Sequence, residues 1–366
     1  MIVFEEVCKT TQGIQVTKAN QISEHEVGYE RYLYISDLVN DKNIKYIKND
    51  FPNKIVTEDD LVVANTGSPG KVFKGKYGIL SNNLFRLSFN SNIVNRDYLY
   101  FILSSETFQN SLQKQMKGGI QKHLGHKTIG KQKIPLPPPE EQKKIAAILD
   151  AADNYRQKTK ALIDNYDQLT QSLFLDMFGD PVTNPKGWDV KPFNKLTDNF
   201  NSQRVPLKSS DREAISGNIP YYGASGIIDF VDDYTHDGEY VLIGEDGANL
   251  LTRNKPIAFL AKGKIWVNNH AHVLKNTNES RLEFIEFLIN SIDLEPYVTG
   301  SAQPKLNKGN LDRIKVYAPP VYLQNQFAER VVQIEKQKQQ AEASLVKAEE
   351  LFSSLLQRAF KGELTS

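Results

Sequence analysis

An α+β fold built from two similar, mainly-β heads, each followed by a long α-helix, is what the sequence predicts. Three observations lead there: a gapless internal repeat, a proline block at the same place in each repeat, and a glycine- and proline-free heptad run after each block. Residues 118–178 and 300–360 align at a constant offset of 182, with fourteen of sixty-one pairs identical, among them Gly118/Gly300, Gln121/Gln303, Leu124/Leu306, Gln142/Gln324 and Leu173/Leu355. With a four-residue slip the match extends upstream, pairing Tyr98, Phe101 and Ser105 with Phe284, Phe287 and Ser291. A period this long is a duplicated domain, since solenoid units are far shorter.

The order of elements in each half follows from composition. Val62 to Leu87 and Tyr240 to Leu274 are rich in β-branched and aromatic residues and broken by Gly, Asn, Asp and Pro, which predicts strands and turns. Asp60-Leu-Val-Val-Ala-Asn-Thr-Gly67 is echoed by Glu239-Tyr-Val-Leu-Ile-Gly-Glu-Asp-Gly247, each an apolar strand running into a glycine-marked turn. Pro135-Leu-Pro-Pro-Pro139 and Pro319-Pro320 then end regular structure, because proline supplies no amide donor, and open the next helix. The predicted parts are a first head at 1–139, a helix at 140–178, a second head at 179–321 and a helix at 322–366.

Each helix would be about 60 Å long at 1.5 Å per residue. Ile145, Ala152, Thr159, Tyr166 and Leu173 recur every seven residues in the first; Phe327, Ile334, Ala341, Ala348 and Leu355 do so in the second. A second row is assigned to Ile148, Tyr155, Leu162 and Leu169 in the first helix, and to Val331, Leu345, Phe352 and Ala359 in the second. Five heptads predict an antiparallel coiled coil with pseudo-twofold symmetry, holding the heads about 60 Å apart, a span suited to a bipartite target on DNA. Two separate amphipathic helices are the alternative.

At 366 residues, 40% hydrophobic and 24% charged, the chain lies near the globular average, which excludes wholesale disorder and collagen-like sequence. Cys8 is the only cysteine, and no apolar run is long enough to span a bilayer, so a reducing cytoplasm and no membrane partner are expected. A net charge of +1 makes no global case for a polyanion, so any basic surface is local.

The clearest local one is Gln113 to Lys133, with six lysines and no acid; its counterpart carries Lys305, Lys308, Arg313 and Lys315 against a single Asp312. Lys117, Gly118, Lys122 and His123 suit a loop laid along phosphates, and Gln121 and Gln303 supply amides able to pair with adenine. Asn65 and Lys71 after the first strand echo, and Asn249 and Arg253 after the second, are further candidate DNA contacts, although turns favour such residues anyway. A solvated loop with structural glycines is the competing reading.

Gly70-Lys-Val-Phe-Lys-Gly-Lys-Tyr77 has phosphate-loop spacing, but Tyr77 replaces the hydroxyl residue that should hold magnesium. His270 and His272 alternate along a strand without carboxylate or cysteine support for a metal. No catalytic constellation emerges, so the sequence reads as non-catalytic, with no metal or cofactor of its own. A nucleotide-binding enzyme using the Gly70–Lys76 loop and a coiled-coil scaffold without DNA remain as alternatives.

The chain resembles the specificity subunits of type I restriction-modification systems. The resemblance rests on the order of parts together with Ile134-Pro-Leu-Pro-Pro-Pro-Glu-Glu-Gln142, Met177-Phe-Gly-Asp-Pro181, Gly187-Trp188, Pro319-Pro-Val-Tyr-Leu-Gln-Asn325 and Ala359-Phe-Lys-Gly-Glu-Leu364. It departs from the pattern at Phe4-Glu-Glu-Val7, which lacks the Gly-Trp lead-in that precedes Phe193. The resemblance implies a non-catalytic subunit whose heads each read one half of a split, asymmetric duplex DNA target. It implies helices that space the heads and dock two methyltransferase subunits, with restriction subunits in the full complex; S-adenosylmethionine, ATP and Mg²⁺ would then belong to those partners.

Overall fold

A computed structural model describes residues 1–116, 122–300 and 302–364. The chain divides into two compact units, the first formed by residues 1–160 with 343–366 and the second by residues 161–342. Each unit therefore owns a head, the near part of one long helix and the far part of the other.

Unit 1 contains β1 (Ile2–Val3), β2 (Cys8–Gln12), β3 (Tyr29–Leu33), β4 (Lys45–Lys48), β5 (Ile55–Val56), β6 (Leu61–Ala64), β7 (Val72–Lys74), β8 (Gly78–Leu80), β9 (Leu84–Phe89) and β10 (Lys133–Ile134). They form a sheet in the order β2-β9-β6-β7, a second in the order β4-β3-β8-β5, and the short pair β1-β10. Strand β6 is buried on both faces, which is why it reads as an unbroken apolar run. Leu61 and Val63 face Tyr98, Phe101 and Ile102 of a helix at Arg96–Ser104, while Val62 and Ala64 face Leu33, Val56 and Leu80 of the second sheet.

Unit 2 contains β11 (Val190–Pro192), β12 (Thr197–Asn199), β13 (Ser216–Gly223), β14 (Gly226–Val231), β15 (His236–Gly244), β16 (Ala258–Val267), β17 (Ala271–Asn276) and β18 (Lys315–Tyr317). One sheet runs β12-β17-β15-β16-β13-β14, beside the pair β11-β18. Val241 and Ile243 of β15 face Phe284, Ile285 and Leu288 of a helix at Leu282–Ser291; Tyr240 and Leu242 face Ala261, Ile265 and Val273. Gly238 and Gly263 pair across β15 and β16, and both hold positive φ (136° and 78°), a backbone state that glycine adopts without penalty.

The long helices span Pro139–Phe178 and Val321–Lys361. Gln142 N–H and Gln324 N–H bond to Pro138 and Pro320 carbonyls, and each helix stops at a positive-φ glycine, Gly179 or Gly362. Ile145 and Leu149 share the core of unit 1 with Phe352, Leu356 and Ala359; Phe174 and Phe178 share that of unit 2 with Phe327 and Val331. In each unit the start of one helix thus lies against the end of the other, as an antiparallel pair requires.

The second-helix seam lies where it was expected: Phe327, Val331, Ala341, Ala348, Phe352 and Ala359 are buried, and Ile334, Leu345 and Leu355 half-buried. In the first helix Ile145 and Thr159 are buried, and Ala152, Tyr166 and Leu173 half-buried. The row at Ile148, Tyr155, Leu162 and Leu169 is a misreading, since all four are exposed. Their place is taken one residue later by Leu149, Arg156, Ile163 and Thr170. Two polar members are accommodated locally: the Arg156 guanidinium lies 4.4 Å from the Phe352 ring centre, and Thr170 returns its hydroxyl to the Tyr166 carbonyl at 3.0 Å.

Candidate nucleic-acid interface

In both units the central strand ends in a turn tied to the segment that precedes the long helix. Asn65 N–H donates to the Asn83 carbonyl (2.9 Å), and the Asn65 carbonyl accepts from Leu124 N–H (2.8 Å). In unit 2 Glu245 N–H donates to the His270 carbonyl (2.8 Å) and its carbonyl accepts from Leu306 N–H (2.8 Å). Leu124 and Leu306 are fully buried and anchor those segments, which satisfies backbone groups that leave the sheet ladder at the strand end. Gly67 and Gly247 complete the turns at φ of 77° and 107°. The bonds make Asn65 equivalent to Glu245, and Asn83 to His270.

Of the expected contacts, Lys117, Gly118 and Gln121 lie outside the described residues. Lys122 and His123, just beyond, are exposed; the Lys122 ammonium has a long bond of 3.4 Å to the Gln113 amide oxygen. Lys71 is exposed, its ammonium 5.3 Å from the Phe73 ring centre. Gln303 is exposed, and the half-exposed Lys305 lies 3.3 Å from Glu245 Oε1.

Three other candidates are spent on the fold. Asn65 is buried, donating to the Asn82 carbonyl (2.9 Å) and accepting from the Thr66 hydroxyl (3.3 Å). Asn249 closes a local loop, donating to the Lys255 carbonyl and accepting from its N–H, both at 3.0 Å. Arg253, at φ 49°, donates to the Asn290 carbonyl (3.0 Å) and the Ile292 carbonyl, capping the helix at Leu282–Ser291. Their polarity serves backbone groups that would otherwise be unpaired, and the buried Asn65 is framework and not a contact.

The turn of unit 2 also carries a charge network centred on Glu245. Burial pushes the Glu245 carboxyl up, but Arg204 at 2.7 Å, with His272 and Lys305, outweighs it and holds the group below the usual carboxylate range. Burial holds the His272 imidazole below its usual value; its Nε2–H donates to the Leu306 carbonyl (2.7 Å), and Nδ1 accepts from the Asn201 amide (2.9 Å). His270 points elsewhere, with Nδ1 2.9 and 2.8 Å from the two Asp246 oxygens. The histidines therefore do not share a metal, and among the described residues no three potential metal ligands cluster.

The Gly70–Lys76 segment is not a phosphate loop. Val72–Lys74 is strand β7, the chain continues into β8 rather than a helix, and the Lys76 ammonium lies 3.1 Å from Asp41. None of the described helices is long and apolar enough to cross a membrane.

Residues 4–165 and 185–347 match the family described as type I restriction modification DNA specificity domain. A candidate type I restriction enzyme specificity subunit of Haemophilus influenzae is 40% identical over 137 residues, covering 37% of this chain and 34% of that protein, so the alignment spans about a third of that relative. The MjaVIII type I restriction enzyme specificity subunit of Methanocaldococcus jannaschii is 26% identical, covering 87% of this chain and 82% of its own. The crystal structure of a type I restriction-modification S subunit from M. genitalium superposes with a TM-score of 0.65 at 16% identity, covering 98% of this chain and 95% of that one.

Proposed function

The chain belongs to the type I restriction modification DNA specificity family, and on that premise we propose that it is the sequence-reading subunit of such a complex. Each unit reads one half of a bipartite, asymmetric duplex target. The two long helices set the spacing and dock two methyltransferase subunits, and restriction subunits join in the full complex. The subunit performs no chemistry; S-adenosylmethionine, ATP and Mg²⁺ act on its partners, in the cytoplasm.

The observation that carries this reading is the recurrence of one arrangement in both units: a strand-end turn stitched to a segment bearing exposed groups, Lys122 and His123 in one and Gln303 and Lys305 in the other. Phosphate-facing cations beside a rigid turn able to carry base-reading groups are the two parts that specific binding needs. The DNA-facing set is Lys71, Lys122, His123, Gln303 and Lys305, with Lys117, Gly118 and Gln121 between Met116 and Lys122. Selecting bound duplexes from a randomised pool with the full chain should return a two-part motif with a fixed gap, and binding should weaken steeply with salt. Enrichment of no motif would leave the scaffold reading in place.

A further inference from the structure

We propose that His270, oriented by Asp246, is a base-reading residue of the second half-site. The inference rests on the reading of the chain as a DNA-specificity subunit. A carboxylate only accepts hydrogen bonds, so the proton shared with Asp246 sits on His270 Nδ1, 2.8 Å from Oδ2. In the neutral ring that leaves Nε2 as a bare acceptor. The ring is 47% exposed while its Asp246 partner is only 13% exposed, and among the described residues the hydrogen bonds of the ring are made by Nδ1 and none by Nε2.

Two features make this a built arrangement and not a chance surface pair. Asp246 is fixed through its backbone: it bridges Lys305 across a β-ladder rung, and Gly247 N–H donates to the Pro304 carbonyl at 3.0 Å. The His270 backbone is fixed too, its carbonyl taking Glu245 N–H and its N–H donating to Asn268 Oδ1 at 2.8 Å. The pair therefore stands alongside the Gln303–Lys305 segment, on the side of the unit already assigned to DNA. A preset acceptor of this kind matches an exocyclic amine of a base edge, the N6 amine of adenine or the N4 amine of cytosine. Unit 1 has Thr66 and Asn83 at the equivalent positions, so this reader belongs to unit 2 alone.

Asp246 acts as a positioning residue. Replaced by Asn, its amide can offer a donor to Nδ1 and drive the proton to Nε2, which turns an acceptor into a donor.

The test is selection from a randomised duplex pool by the full-length wild type, His270→Ala and Asp246→Asn, with thermal melting to confirm folding. The wild type should select a two-part motif. His270→Ala should lose about fivefold of its preference at one position of one half-site and keep the rest. Asp246→Asn should weaken or switch preference at that same position. A motif unchanged in folded His270→Ala overturns the inference while leaving the DNA reading intact, as does a uniform loss of affinity for all sequences, which would make His270 a phosphate ligand. A wild type that enriches no motif overturns both.

Discussion

The two units share a frame and differ at its edge. Strands β2-β9-β6-β7 of unit 1 correspond to β12-β17-β15-β16 of unit 2, and the pair β1-β10 to β11-β18. Phe4, at the point where the sequence departs from its family's lead-in, does what Phe193 does: its N–H bonds to Gln132 as that of Phe193 bonds to Ile314, and both rings are fully buried. Beyond the frame, unit 1 adds the separate sheet β4-β3-β8-β5, whereas unit 2 extends its own sheet by β13-β14. The strand-end turn changes from the uncharged Asn65, Thr66 and Asn83 to the carboxylates Glu245 and Asp246 with His270. Duplication has kept what closes each core and varied what reaches outward, as expected of two readers with different targets.

The largest test of that division is exchange. Replacing residues 1–139 with the head of a relative should change one half of the recognised sequence, preserving the other half and the spacing, as read by mapping modified bases in cells carrying the complex. A swap that rewrote both halves would mean that the variable edges of the two units do not act independently. Adding or removing one heptad between Ala152 and Tyr166 moves one helix by about 10 Å. It should shift the gap between half-sites or abolish binding, and an unchanged gap would end the view that the helices are the ruler.

The shared frame was legible in the sequence; much of the varied edge was not. Helix starts could be read because prolines mark them. The seam of the second helix was legible because Phe327, Val331, Phe352 and Ala359 are apolar and face inward. One row of the first was misread because apolar Ile148, Tyr155 and Leu162 are exposed, while Thr170 is buried and Arg156 packs on Phe352 of the partner helix. The repeat held the correction: at an offset of 182, Val331 and Phe352 point to Leu149 and Thr170, whereas Ile148 and Tyr155 map to Arg330 and Gln337. Asn65 was misjudged for another reason. An amide or guanidinium in a turn looks the same in sequence whether it meets a ligand or its own backbone.

Within the frame, Gln142 and Gln324 make matching sets of bonds. Gln142 accepts from Asn95 N–H (2.8 Å) and donates to the Ile93 (2.9 Å) and Pro137 (2.8 Å) carbonyls; Gln324 accepts from Arg281 N–H (2.9 Å) and donates to the Glu279 (3.1 Å) and Pro319 (2.8 Å) carbonyls. Both side chains are fully buried, so Gln142→Ala and Gln324→Ala should each strand three backbone groups and cost about 3 kcal/mol. Hydrogen exchange in the affected unit measures this, and very unequal costs would show that the two ties are not equivalent.

A sharper contrast lies one turn further on. Glu286 occupies in unit 2 the place of Tyr100 in unit 1; burial, reinforced by Glu335 and Glu283 and opposed by the Leu260 backbone, pushes its carboxyl up to about 7. A folded-state value above the unfolded one means that unit 2 loses stability as pH rises from about 4.5 to 7 and regains it on acidification. Glu286→Gln should therefore stabilise unit 2 by about 1–3 kcal/mol at pH 8 and leave it unchanged near pH 4. Unit 1, with Tyr100 there, should show no such dependence, and equal pH sensitivity in both units would remove Glu286 as its source.

The smallest expected effect separates the two turns by their charge. Lys122 has only a long bond to an amide, whereas Lys305 sits 3.3 Å from Glu245, which Arg204 already neutralises in part. A lysine free to displace a counterion from phosphate contributes about 0.9 to the slope of log affinity against log salt, and one already paired to a carboxylate contributes less. Lys122→Gln should therefore flatten the salt dependence by nearly one unit, with similar losses on specific and random duplexes. Lys305→Gln should flatten it less, and Glu245→Gln, which frees Lys305, should steepen it. Equal slopes for all three variants would show that the charged turn of unit 2 does not face the backbone of DNA, and would shift phosphate contact in that unit to other cations.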